Sequence, residues 1–212
     1  MKSPLLIVLE GTNDIEFLQR LARQLCRQLP DLPDLFQWQA AGRIVLIPVG
    51  GGDAGSWPDR LRGLELAEFH LYDREQIPET SIRRRAIERI NARPGCYGAL
   101  TNKRSLENYL HPKAIAAAGG DVVAFGDEDS VSLVMARRRC EAASICWSEL
   151  PRAKLRRLAA RTKRWLNTVA VEHMTADFLT ERDPEGEVLG WLRTIAHLAQ
   201  RRGICASASA GI

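Results

Sequence analysis

The stretch from Leu5 to Asp14, L-L-I-V-L-E-G-T-N-D, constrains this chain more than any other. Five consecutive apolar residues suit a strand buried on both faces, as in a parallel sheet covered by helices on either side. The run stops at an acid. Glu10 falls where that strand ends, Gly11 permits a tight turn, and Asn13 with Glu16 supplies the N-cap and third-position pair that opens a helix. Asp14 then stands in the helix's first turn, close to Glu10. Open α/β sheets place their chemistry at the carboxyl ends of central strands, which is where these two carboxylates fall. A strand-end charge and a first-turn acid complementing the helix dipole explain the same residues, at about even weight on this stretch alone.

The rest of the first half repeats the strand-then-helix alternation. Ile15, Leu18, Leu21, Ala22, Leu25 and Leu29 recur at helical spacing, and Pro30 closes that helix. Residues 30–41 read as a connection with room for a short ordered piece. A second strand, Arg43 to Val49, runs into Gly50-Gly51-Gly52-Asp53, which matches no nucleotide-binding fingerprint and reads as turn glycines. Ser56 to Leu64 reads as a short helix, with Ser56 as its cap and Pro58 in its first turn. A third strand, Leu66 to Tyr72, ends in Asp73-Arg74-Glu75. If the backbone stays extended there, Asp73 and Glu75 project to one side and repeat at a second strand end what Glu10 and Asp14 do at the first. A basic helix from Thr80 to Ala92 and a weaker fourth strand, Gly95 to Leu100, follow. In T-N-K-R-S-L-E-N-Y-L, residues 101–110, Ser105 caps a helix and Glu107 lies opposite the apolar face, where a solvated acid is the ordinary expectation.

From residue 113 the strand pattern disappears and the chain becomes helical and charged, over Ser130 to Glu149, Pro151 to His173 and Glu185 to Arg202. This places a boundary near residue 112, between a sheet-bearing region 1–112 and a basic helical region 113–212. Gly119-Gly120 and the acidic run 126–130 read as exposed loops, and the C-A-S-A-S-A-G-I ending as frayed.

Composition narrows the class. The chain has 212 residues, 45% of them hydrophobic, enough for a real core and too apolar for disorder. The formal charge of +4 is mild, but its placement is uneven: Arg152, Lys154, Arg156, Arg157, Arg161, Lys163 and Arg164 follow one another with no acid among them. Five cysteines without a C-x-x-C pair favour neither a disulfide framework nor a cysteine zinc site, and fit a reducing cytoplasm. No stretch approaches the roughly 20 apolar residues of a membrane span, so no membrane partner is expected. The four histidines are scattered, and His70, on an apolar strand, reads as a packed core residue. Trp147, Trp165 and Trp191 read as core anchors of the helical region, and Tyr72, Tyr97 and Tyr109 as core residues.

Taken together, strand-E-G-x-x-D-helix, a second strand ending in glycines, a third ending in D-x-[D/E], and then R-S-L-E-N-Y-L resemble the TOPRIM domain. The version they resemble is that of the overcoming-lysogenization-defect (OLD) family nucleases. Coverage runs from Leu5 to about Leu110. The resemblance implies an α/β fold, a TOPRIM-like four-stranded parallel sheet flanked by helices with a helical carboxyl-terminal region, and a site that cleaves or nicks DNA with divalent metal. It implies that Glu10, Asp14, Asp73, Glu75 and Glu107 hold the metal, Glu75 standing where the family has Asp. It also implies a lysine in the helical region, for which Lys163 is the first match and Lys154 the second. An ABC-type ATPase normally precedes this domain; no G-x-x-x-x-G-K-[ST] occurs here, so a separately encoded ATPase is the partner to look for.

Phosphodiester hydrolysis needs charge neutralised on the scissile phosphate and a hydroxide in line with the leaving oxygen, which two Mg²⁺ ions about 4 Å apart can supply. An all-carboxylate site suits Mg²⁺, with Mn²⁺ as substitute, and disfavours zinc. Glu10 and Lys163 are the expected catalytic pair, the lysine stabilising charge in the transition state. Arg152, Lys154, Arg156, Arg157, Arg161 and Arg164 are expected to meet DNA phosphates, although a solvated helix face explains such a run about as well on composition alone. A different class of function is a TOPRIM module that binds DNA or regulates a separate ATPase without cutting. Primase and topoisomerase roles lack a zinc segment and a nucleophilic-tyrosine domain.

Overall fold

A computed structural model describes residues 3–50 and 57–201. Its centre is the apolar run itself: β1 (Leu5–Leu9) is buried at every position. Strands β2 (Ile44–Pro48), β3 (Glu68–Tyr72) and β4 (Cys96–Leu100) complete an all-parallel sheet in the order β2-β1-β3-β4, with Ile7 level with Leu46 on one side and Phe69 on the other. The α/β class, the four parallel strands and the flanking helices expected from the sequence are all present.

Alternation along β1 divides the core. Leu5, Ile7 and Leu9 face the larger cluster, where Phe17, Leu18, Leu21 and Leu25 of α1 (Thr12–Cys26) meet them. Each of these fully buried side chains contributes about 1.5–3 kcal/mol by leaving water. Leu6 and Val8 face the smaller cluster, closed by Leu61 of α3 (Trp57–Leu61) and by Ala86 and Ile90 of α4 (Glu79–Asn91). The larger cluster continues through Ala114 and Ile115 of α5 (Pro112–Ala117), Met135 of α6 (Val131–Ala142), Leu166 of α7 (Arg152–Thr168), Leu179 of α8 (Ala176–Arg182) and Trp191 of α9 (Glu187–Arg201). Helices on both sides of residue 112 thus share one core.

Several local expectations are corrected. The first helix starts at Thr12 with Gly11 extended at its N-cap and no side chain capping it, so Asn13 is not the cap; Glu16 instead pairs with Arg20 at 2.8 Å. The connection 30–41 holds α2 (Leu35–Ala40), capped by Asp34, whose side chain accepts from Phe36 and Gln37 N–H. The two long helical stretches both break: the first ends at Ala142 before a 3-10 turn at Trp147–Glu149, and the second at Thr168 before one at Ala170–His173. Tyr97 is not in the core, being 38% exposed, and of the three tryptophans only Trp191 is fully in it. His70 is buried as expected, between Tyr72 Oη at 2.8 Å and Glu68 Oε2 at 2.7 Å. Gly51, Gly52, Asp53, Ser56, Cys205 and the carboxyl-terminal run lie outside the described residues, among which no helix is long and apolar enough to cross a membrane.

The seating of α7 depends on a glycine. A Cβ on Gly120 would stand 2.7 Å from Trp165 Cη2 and 2.9 Å from the Ile115 carbonyl oxygen, and backbone cannot give way as a side-chain tip can. Gly120→Ala is therefore expected to cost about 1–3 kcal/mol of stability, measured by urea unfolding. A wild-type midpoint for that variant would mean Trp165 is not wedged there.

Candidate active site

From β1 the chain goes out to β2, then crosses back to β3 on the other side, so the crevice beyond the carboxyl ends of β1 and β3 is a topological switch point. Glu10 follows β1 and Asp73 follows β3. They meet directly, the Asp73 N–H donating to Glu10 Oε1 at 2.9 Å. Asp14, turned inward from the first turn of α1, is 4% exposed, and Glu107, in the 3-10 turn Leu106–Tyr109, is 3% exposed. Lys163 of α7 then closes the group. Its Nζ stands 3.4 Å from Asp14 Oδ1, 3.5 Å from Glu107 Oε1 and 3.8 Å from Asp73 Oδ2. The structure thus brings together Glu10, Asp14, Asp73, Glu107 and Lys163 from five separate parts of the chain.

Neighbours fix each oxygen. Ser105 and Asn108 form the capping box of the 3-10 turn, and Ser105 Oγ also donates to Glu107 Oε2 at 2.8 Å. Asn167, one helical turn beyond Lys163, donates to Glu107 Oε1 at 2.7 Å. The Leu106 N–H donates to Asp73 Oδ1 at 3.0 Å. Arg83 donates to Glu10 Oε2 at 2.9 Å and to the Asp73 carbonyl. Sequence reasoning passed over Arg83 and Asn167. The spacing Arg83, Ala86, Ile90 puts that arginine on the apolar stripe of α4, and this separates it from Arg84 and Arg85, which are exposed.

Crowding carboxylates away from water works against their charge. Burial raises Glu10 to about 7, with Arg83 opposing and Asp14 adding to the rise. Burial also raises Asp14, against the pull of Lys163, and holds Asp73 well above the usual carboxylate range with help from Asp14. Burial disfavours the charge on Lys163, but Glu107, Asp73 and Asp14 outweigh it and keep its pKa above the ordinary value.

These shifts make a linkage prediction. Between its unfolded value of 4.5 and about 7, the folded Glu10 binds a proton that the unfolded chain releases, so stability falls as pH rises through that window. His70, lowered from 6.5 chiefly by burial, slopes the opposite way, losing stability as pH falls below 6.5. Melting curves from pH 4.5 to 7.5 in EDTA are therefore expected to show a shallower decline with rising pH for Glu10→Gln than for the wild type. Parallel profiles would show that Glu10 ionises normally.

Scans against family models, characterised proteins and solved structures returned no match. What the site can do therefore rests on its own geometry. Among the described residues no three Asp, Glu, His or Cys side chains stand as a ready-made metal-ligand set, and the Lys163 ammonium lies against Asp14 and Glu107. The donors nevertheless suit a hard divalent cation. They are all oxygen, they repel one another, and Asp14 Oδ1 is buried with Lys163 Nζ, at 3.4 Å, as its charged neighbour.

Two expected site residues make no contact with this group, although Glu75 is near enough to Glu10 to add to the rise of its pKa. Glu75 does not project beside Asp73, because its φ of 52° turns the backbone into the left-handed region; its carboxylate faces Arg104 at 3.4 Å. Lys154 is exposed and stands nine residues before Lys163, about 180° around α7. The six basic residues expected at DNA are all exposed. Arg152 and Arg156 fall within about 20° of Lys163 around the axis, at roughly 16 and 10 Å along it, whereas Arg157, Arg161 and Arg164 are turned away by about 100° or more. The acidic run near 126–130 is exposed but pinned, Asp127 by Lys103 at 2.6 Å and Glu128 by Arg74.

Proposed function

We propose that this protein is a metal-dependent DNA endonuclease or nickase, with the TOPRIM-type site of OLD family nucleases that its motifs resemble. One observation carries the reading: four carboxylates and a lysine, separated by up to 153 positions in sequence, meet at the sheet's switch point in spite of the electrostatic cost. Glu10, Asp14, Asp73 and Glu107 are the residues to hold Mg²⁺ or Mn²⁺. When bound, such an ion supplies an activated water and neutralises charge on the phosphate. Lys163 Nζ, within 3.4–3.8 Å of Asp14, Glu107 and Asp73, would share their oxygens with such an ion and would stabilise developing negative charge on a phosphate. Asn167 and Ser105 hold Glu107 in its orientation, and Arg83 does the same for Glu10. Arg152 and Arg156 continue the positive edge of α7 away from Lys163 and offer a duplex backbone two further contacts.

Plasmid nicking in Mg²⁺ or Mn²⁺, against EDTA, tests the reading; intact plasmid under all three conditions would sink it. The lysine among the carboxylates favours a second reading, DNA binding without cleavage in the service of a separate ATPase. Salt-sensitive DNA binding together with no heat of Mg²⁺ binding would decide for it.

A further inference from the structure

A cleft of about 530 Å³ runs along the outer edge of β4, between α4 and α9, with Arg74, Arg84, Tyr97, Thr101, Asn102 and Trp191 in its wall. Its floor is closed to a partner strand. The Asn91 side chain accepts from the Gly98 N–H at 2.7 Å and donates to the Gly98 carbonyl at 3.0 Å, as a neighbouring strand would. The Asn102 N–H is taken by the Glu187 carboxylate at 2.9 Å. An extended polypeptide therefore meets side chains where it needs a ladder.

What the cleft does offer is positive charge and a ring. Glu187, the acid in its wall, is already committed to Asn102 and to the Tyr109 hydroxyl. Arg84 is exposed and holds no acid among the described residues. Arg74 is held by Glu128, itself 65% exposed, and an ion pair of that kind is worth little enough to exchange for a phosphate. Tyr97 stacks on Phe69 with centroids 5.7 Å apart and planes 14° apart, so its exposed ring is held in one orientation. The cleft also adjoins the carboxylates: Arg74 directly follows Asp73, and its N–H donates to Thr101 Oγ1 at 2.8 Å.

We propose that this cleft is a subsite for an unpaired nucleotide next to the scissile phosphate, its base stacked on Tyr97 and its phosphate held by Arg74 and Arg84. The inference rests on the nuclease reading above and names its substrate class: single-stranded or locally melted DNA, since a paired base is not free to enter.

The test uses the full chain in EDTA with a single-stranded oligonucleotide carrying 5-iodouracil. Irradiation is expected to give a cross-link in the peptide containing Tyr97. Tyr97→Leu is expected to abolish that cross-link and weaken binding about ten-fold, the size of one lost base stack. Arg84→Ala, on an exposed helix position, is expected to make the slope of log affinity against log salt shallower by about 0.7. An RNA oligonucleotide of the same sequence tells whether the sugar matters. Cross-links confined to α7, with both variants binding as wild type, overturn the subsite even if plasmid nicking stands. A Tyr97 cross-link from a protein that cuts nothing upholds the cleft and removes the nuclease.

Discussion

Asp73→Asn is expected to cut metal-dependent nicking by about 10³-fold or more while raising the melting temperature. Both effects come from the same carboxylate. Asp73 is 3% exposed and faces Asp14, Glu107 and Glu10, so ionising it is resisted by burial first and by Asp14 next, which together outweigh the opposing pull of Lys163. An amide keeps an oxygen to accept the Leu106 N–H and carries no charge to repel its neighbours. Relief of about 1 kcal/mol corresponds to a rise of about 2–4 °C for a chain of this size. Such an exchange of activity for stability marks a site kept strained for function. Nicking assays beside differential scanning fluorimetry check it, and a variant that cuts normally and melts no higher would falsify the assignment of Asp73.

Lys163→Met is expected to act in the opposite direction on stability. Without the ammonium, Asp14, Asp73 and Glu107 lose their common counter-charge. Removing one partner from a fully buried ionic group costs about 3–5 kcal/mol; with the Lys163 side chain 30% exposed, water recovers part of this, leaving about 1–3 kcal/mol. Melting in EDTA should therefore fall by several degrees. Millimolar Mg²⁺ or Mn²⁺ should restore it, because the cation enters where the ammonium was, and calorimetry should find metal bound about ten-fold tighter than in the wild type. Nicking should drop about 10²–10³-fold even so, since nothing then balances charge on the phosphate. Metal affinity and melting both unchanged would mean that the lysine and the cation do not share the carboxylates.

The sheet was legible because its signals are local. Five apolar residues before Glu10 and the largely apolar run Leu66–Tyr72 before Asp73 mark buried strands, and each acid stands at the point where its strand stops. The shared site was legible in Glu10, Asp14, Asp73 and Glu107 through motif resemblance, and Lys163 came with them. Glu75 was misread because a D-R-E triplet carries no mark of a left-handed turn at its third residue. Arg83 and Asn167 were missed since their roles depend on which side of a helix packs against the sheet. For Asn167 that is settled by tertiary contacts such as Gly120 against Trp165; for Arg83 the spacing with Ala86 and Ile90 carried the signal. The outward face of Tyr97 was equally invisible, for a tyrosine in a strand has the same local pattern whether a helix covers it or a cleft opens beside it.

Because α7 lies so late in the chain, its lysine can reach the acids only once most of the chain has been made. A nascent or clipped polypeptide ending before residue 152 has the negative groups without their balancing partner. The consequence is temporal: an unfinished copy holds an acidic pocket that has no ammonium in it.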